Sequence, residues 1–192
     1  MCGIFGYIGT RNNAGTIVIK GLKNLEYRGY DSWGVAMQTK GGVRVSKDIG
    51  KISGVKNEDF ADECTLAVAH SRWATHGGVT KENAHPHFGG KGRGAVVHNG
   101  IIENFQQLRE ELTRKGHVFA SETDTEVIPH LIEELMTKEG LPLNEATRLA
   151  CTRFHGRYAI LDYNFTDKLG AFLRFDRLDP NKDLSRNETS MV

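Results

Sequence analysis

A cysteine stands directly behind the initiator methionine, in Met1-Cys2-Gly3-Ile4-Phe5-Gly6-Tyr7-Ile8-Gly9. Removal of Met1 would leave a nucleophilic thiol and a free α-amine on one residue. A thiol titrating near about 8.5 and an α-amine titrating near about 7.8 can trade a proton directly or through one water, so one residue would serve as nucleophile and base. On position alone the plainer reading is a small apolar residue at the start of a buried strand.

Three further stretches carry residue types that such a nucleophile would need. In His70-Ser71-Arg72-Trp73-Ala74-Thr75-His76-Gly77-Gly78, Arg72 is suited to holding a carboxylate through two parallel N–H bonds, Trp73 offers a wall and Thr75 a short hydroxyl. An ordinary polar loop accounts for the same residues equally well. Asn99-Gly100 follows the strand-like run 95–98 and can set an amide side chain beside an open backbone N–H, the two neutral donors that a tetrahedral oxyanion requires. Asn-Gly is also the commonest hairpin signal, but the helical pattern after it argues against a tight hairpin. Asp124 falls in the first turn of an expected helix, where the helix dipole alone explains a carboxylate and a substrate ammonium is the alternative. Arg28 and Asp31, in Tyr27-Arg28-Gly29-Tyr30-Asp31-Ser32-Trp33-Gly34, could brace one another or a ligand. Histidines 70, 76, 85, 87 and 98 lack the helical pairing and the nearby cysteines of a zinc site, so no metal and no cofactor is expected.

The elements that must position these groups follow from periodicity. Residues 4–8 read as a buried strand, and a helix runs from 15 to about 26 on Ile17, Val18, Leu22 and Leu25. Strands are expected at 35–38 and 43–46 around the Gly41-Gly42 break, a short helix at 57–63, and strands at 65–69 and 95–98. Helices follow at 102–115, from Thr123 to Met136, and at 143–154, then strands at 158–162 and 169–175. Thr123 with Glu126 fits a capping box, and Pro129 should remove one bond or kink its helix. Helices grouped between runs of strands indicate a layered α+β fold.

Composition narrows the partners. The chain has 192 residues, enough for one domain with its own core. A net charge of +1 disfavours nucleic acid and membrane surfaces, and no apolar run reaches the ~20 residues of a transmembrane helix. Cys2, Cys64 and Cys151 are an odd set without metal spacing, and there is no secretory leader pattern, which fits a reducing, cytoplasmic setting.

Taken together, Cys2-Gly3-Ile4-Phe5-Gly6, Glu26-Tyr27-Arg28-Gly29-Tyr30-Asp31-Ser32, His70-Ser71-Arg72-Trp73-Ala74-Thr75-His76-Gly77, Asn83-Ala84-His85-Pro86-His87, Val97-His98-Asn99-Gly100-Ile101-Ile102-Glu103-Asn104 and Ser121-Glu122-Thr123-Asp124-Thr125-Glu126 resemble, in order and spacing, the glutaminase domain of the glucosamine-6-phosphate synthases, which are glutamine–fructose-6-phosphate aminotransferases of the isomerizing type. These are class II glutamine amidotransferases, N-terminal-nucleophile hydrolases of four-layer αββα architecture.

The resemblance implies a catalytic Cys2 with its own α-amine as base and an oxyanion hole from Asn99 and Gly100. It further implies Arg72 on the α-carboxylate of L-glutamine, Asp124 on its α-ammonium, and Trp73, Thr75, His76 and Gly77 around the substrate. Ammonia would be released for glucosamine 6-phosphate formation in hexosamine biosynthesis. Fructose 6-phosphate would enter only through a sugar isomerase region outside this chain, and a homo-oligomer is compatible with the resemblance. It covers residues 2–172; 173–192 are expected to be a divergent, disordered polar tail, and the fold to lack its C-terminal strands. The alternative is a glutamine-binding or regulatory module without turnover that pairs with a full-length synthase.

Overall fold

The computed structural model describes residues 2–90, 94–164 and 170–176, with residues from 157 onward described by backbone alone. Two four-stranded sheets form its centre. The first has the order β1 (Gly3–Ile8), β4 (Leu66–Arg72), β2 (Ser32–Thr39), β3 (Gly42–Ile49); the second has the order β5 (His87–Phe88), β6 (Gly94–Ile102), β7 (Gly156–Asn164), β8 (Gly170–Asp176). All the pairings are antiparallel.

The two-residue side-chain period explains how the layers stack. On the first sheet Val35, Met37, Ala67 and Ala69 point to one face, where they pack with Ala14, Val18, Ile19 and Leu22 of α1 (Ala14–Lys23). Ala36 and Val68 point to the other face and meet Ala95 and Val97 of β6, with Ile4, Val43 and Phe88 at the margin. Val96 and Ile102 of β6 face outward against α2 (Phe105–Arg114), α3 (Val127–Lys138) and α4 (Leu143–Arg153). The order of layers is therefore helix, sheet, sheet, helices, as the αββα expectation required. β2 and β4 are covered on both faces, which is why they read as nearly continuous apolar runs rather than alternating ones.

Several expectations are corrected. β4 does not stop at residue 69 but runs through His70, Ser71 and Arg72, because Gly3 and Ser32 on its two neighbours pair with Ser71 and Arg72. β2 begins at Ser32, so Trp33 and Gly34 belong to the strand rather than to the loop before it. β6 likewise continues through Asn99-Gly100 to Ile102, held by β7 down to the pair Ile102 and Gly156.

The capping box does not form. Thr123 bonds Ser121 and His87, while the Glu126 carboxylate accepts from Ala120 N, Ser121 N and Ser121 Oγ at 2.7–2.8 Å. Pro129 is the third residue of α3, a position whose N–H has no intrahelical acceptor, so it removes no helical bond. α1 is shorter than expected, and a 3₁₀ turn at Glu26–Arg28 follows it. β8 runs to Asp176, into the stretch read as a tail; the remainder of that stretch and the turn expected at 164–167 lie, from 165 to 169 and from 177 on, outside the described residues. No helix among the described residues is long and apolar enough to cross a membrane.

Candidate active site

Parity along the strands carries a second message. The inner face of β4 that begins with Val68 continues through His70 and Arg72, and the inner face of β6 that carries Ala95 and Val97 continues to Asn99. The seam between the sheets thus changes from apolar to polar along its length, and its polar end is where Cys2 lies, one residue before β1.

Cys2 is half-buried. Its Sγ accepts the Trp73 N–H at 3.3 Å and lies 3.6 Å from the Trp73 carbonyl. The Cys2 carbonyl accepts from Asn99 Nδ2 at 3.2 Å and from Arg28 Nε at 3.4 Å. Burial pushes the Cys2 thiol above its ordinary range, against the Trp73 N–H and the Arg72 charge, which pull it down. A thiol so placed is mostly protonated at neutral pH and needs a base beside it to become a nucleophile.

Asn99 reaches across from the second sheet, so an amide 97 residues away in sequence sits beside the cysteine. Its Oδ1 lies 3.0 Å from His70 Nε2. Gly100 is exposed and has φ +142°, a backbone conformation that any Cβ would strain. The glycine of the Asn-Gly pair is therefore required inside a strand, not at a hairpin turn.

Arg72 is 3% exposed, and its guanidinium donates to the carbonyls of His76 and of Gly78, the latter at 3.0 Å. Burial lowers its pKa, while Cys2, Asp31 and Asp124 are close enough to favour its charge. The Asp31 carboxylate accepts the Ala74 N–H at 2.8 Å. Residues 73–78 thus fold over Arg72 as a loop held from several sides. Trp73 is 44% exposed and edge-on to Tyr30, Thr75 and Gly77 are exposed, and half-buried His76 packs edge-on against Phe105.

Asp124 is buried in a 3₁₀ turn, Asp124–Glu126, and its Oδ2 accepts the Ile102 N–H at 2.8 Å. Burial raises its carboxyl pKa and the Ile102 N–H lowers it. The sequence-picked residues accordingly fall into three neighbouring groups: Cys2 with Trp73 and Asn99, Arg72 with its loop, and Asp124 at the end of β6.

Sequence reading missed the groups that hold the loop. Asn83 donates to Gly78 O at 3.0 Å and to Glu122 at 3.1 Å, and accepts the Glu122 N–H at 2.9 Å; Glu122 also accepts the Gly78 N–H at 3.2 Å. The two residues lie in the polar stretches 83–87 and 121–126, and pairing over 39 residues leaves no periodic trace. Among the described residues, the His, Cys, Asp and Glu ligand atoms that converge closely enough for a metal belong to His117, His130 and Glu133, not to the five histidines weighed from sequence. The two Nδ1 atoms of His117 and His130 are 2.9 Å apart and hydrogen-bond one another.

Comparison with known proteins shows the family. Residues 70–179 match the glutamine amidotransferase domain family. The glutamine–fructose-6-phosphate aminotransferase (isomerizing) of Pyrococcus horikoshii is 50% identical over 163 residues, covering 84% of this chain and 27% of that protein. The Methanothermobacter thermautotrophicus protein of the same name is 52% identical over 162 residues, 83% of this chain and 27% of its own length. The chain therefore spans about a quarter of the length of the curated relatives it matches.

Among solved structures, the B. subtilis glutamine phosphoribosylpyrophosphate amidotransferase complexed with ADP and GMP superposes with a TM-score of 0.72 at 27% identity, over 86% of this chain and 36% of that one. A structure described as the allosteric regulatory enzyme of purine biosynthesis gives 0.76 at 28% identity, over 92% and 37%. The cysteine at the start of β1, the amide delivered from the facing sheet and the αββα layering are thus found in a chain that belongs to the glutamine amidotransferase domain family.

Proposed function

We propose that this chain hydrolyses the side-chain amide of glutamine with Cys2 as nucleophile, once Met1 has been removed. The observation that carries the reading is the contact between Asn99 Nδ2 and the Cys2 carbonyl, which sets a neutral amide donor within reach of whatever the thiol attacks. The Cys2 α-amine takes the Sγ proton, and the thiolate adds to the amide carbon. The electron pair moved onto oxygen is held by the second Asn99 N–H and the Gly100 N–H. The proton then passes from the α-ammonium to the amide nitrogen, ammonia leaves, and a γ-glutamyl thioester remains. Water activated by the same amine attacks it, releasing glutamate and the thiol.

Substrate orientation follows from charge. Arg72 takes the α-carboxylate, using guanidinium N–H groups beyond those given to the loop carbonyls, and Asp124 takes the α-ammonium. Trp73, Thr75, His76 and Gly77 close the loop over the side chain. The raised thiol pKa gives the amine its task, because burial withholds the thiolate from the free enzyme. We extend the reading to the whole enzyme on the names its relatives bear: ammonia made here would aminate fructose 6-phosphate to glucosamine 6-phosphate in a region beyond this chain.

The test is glutamate release from glutamine by protein whose N-terminus has been determined by intact mass. Activity is expected in the species lacking Met1 and not in the species retaining it. Equal activity in both would defeat the mechanism, and absence of turnover from a correctly processed chain would defeat the function.

A further inference from the structure

We infer that His70 is the positioning residue for the oxyanion hole: as a neutral ring protonated on Nε2, it fixes which end of the Asn99 amide faces Cys2. This inference rests on the proposed glutaminase reading and adds a group to it that does not touch the substrate.

The hydrogen-bond geometry closes on one solution. Asn99 Nδ2 lies 3.2 Å from the Cys2 carbonyl, which only accepts, so this end of the amide must be the NH₂. The opposite end is then the oxygen, and it lies 3.0 Å from His70 Nε2. The same Nε2 is 3.1 Å from the His98 carbonyl, a second pure acceptor. A ring nitrogen between two acceptors must carry the proton. His70 Nδ1 has no hydrogen-bond partner among the described residues, so placing the ring's single proton on Nε2 leaves no N–H unpaired.

The surroundings hold the ring in that state. His70 is 0% exposed, and burial pushes its pKa down to about 4, so the donor stays neutral over the range in which a thiol and an amine exchange a proton. The His85 ring stacks on it with centroids 4.1 Å apart and planes 15° apart. His85 is itself fixed, because its Nδ1 accepts the His98 N–H at 3.3 Å. Gly34, opposite His70 in the β2–β4 register, makes room for this stack: a Cβ there would lie 2.0 Å from the His85 carbonyl.

Without the Nε2 proton, the orientation of the Asn99 amide rests on the Cys2 carbonyl alone, and the amide can rotate end for end. Its oxygen would then face both the Cys2 carbonyl and the developing oxyanion, replacing an attractive dipole with a repulsive one at the point where charge accumulates. A misplacement on this scale costs on the order of 10²-fold in rate.

The experiment is a double-mutant cycle on the processed protein. His70→Phe keeps a flat ring against His85 and removes the donor; His70→Gln keeps an N–H donor. His70→Phe is expected to lower kcat by about 10–100-fold with KM within about threefold, and His70→Gln to recover most of that loss. In an Asn99→Ala background, where there is no amide left to orient, His70→Phe is expected to lower kcat further by less than about twofold.

Equal losses in both backgrounds would assign His70 a merely structural role and overturn the inference. A readout independent of glutaminase activity is the ¹⁵N spectrum of the wild-type ring at pH 7. The neutral Nε2–H form supports the inference, and an Nδ1–H or doubly protonated ring overturns it, whether or not glutamine is the substrate. If the wild-type protein releases no glutamate while the ring shows Nε2–H, the functional reading fails and the geometric one stands.

Discussion

The seam between the two sheets and the helix-covered layers outside them are built from opposite materials. The outer core around α2, α3 and α4 is made of large aliphatic and aromatic side chains, among them Leu112, Ile128, Leu131 and Phe154, all nearly inaccessible. The seam holds Ala36, Val68, Ala95 and Val97 at one end and His70, Arg72 and Asn99 at the other, with His85 stacked on His70. The outer layers can tolerate loss of a methyl group at a moderate cost in stability alone. The seam cannot lose a polar partner without stranding a buried group. The proposed chemistry falls in the seam because two sheets facing one another bring polar side chains from distant strands together, and stability resides outside because helices cover apolar faces efficiently.

The largest expected break in this contrast is Cys2→Ala. It should lower glutamate release by about 10⁴-fold or more while leaving the thermal midpoint nearly unchanged, and measurable turnover near the parent level would remove Cys2 from the mechanism. Next, Asn99→Asp replaces a donor with an acceptor at the same place in the seam. A fall in kcat of about 10²–10³-fold is expected, with little change in KM; a pure KM effect would mean that Asn99 binds substrate rather than the transition state.

Arg72→Lys keeps the charge and loses the fork that serves two loop carbonyls and, in the proposed function, the substrate carboxylate. KM for glutamine should rise by about 10–100-fold, as expected for losing a charge-assisted bond of roughly 1.5–3 kcal/mol, and steady-state kinetics at saturating glutamine would show kcat largely retained.

Stability measurements sharpen the same comparison at smaller scale. Leu131→Ala in the outer core should cost about 2–5 kcal/mol at every pH and leave kcat/KM intact. Acid should act on the buried histidines of β4 and β6 instead. Burial holds His70 at about 4 and His98 at about 3, below the ordinary value near 6.5 that they regain on unfolding. Below pH 6.5 the unfolded chain therefore binds protons that the folded chain refuses. Stability is full above pH 6.5 and falls as the pH drops toward 4, by roughly 3 kcal/mol from His70 alone. Denaturant unfolding at pH 7.5, 5.5 and 4.5 checks the sign, and a midpoint that held constant or rose on acidification would show that these rings are not buried in the neutral state.

Much of the fold was legible because it rests on local patterns. The spacing of Val18 and Leu22, and of Val127, Ile128, Leu131, Ile132 and Leu135, marks one face of a helix whatever that face meets. Strand ends were less legible. Nothing local tells β4 to continue past Ala69 or β6 past His98, since both extensions are held by partners remote in sequence. The capping box at Thr123 failed for a similar reason: Glu126 had a better use in tying down Ala120 and Ser121, and Thr123 found His87 on β5.

The residue types at the candidate site are a matter of sequence, since a cysteine directly behind Met1, an arginine, an amide followed by glycine and an aspartate each carry their chemistry wherever they fall. The sequence also determined parity, which puts His70 and Arg72 on one face of β4 and Val97 and Asn99 on one face of β6. Only the tertiary structure decided that those two faces oppose one another. It alone set Asn99 3.2 Å from Cys2, turned Arg72 into a buried anchor for its own loop, and made His70 a proton donor between two acceptors. The physical reason is that hydrogen bonds between residues 28 to 97 positions apart depend on how the layers stack, and stacking is set by the apolar faces rather than by the polar residues that exploit it.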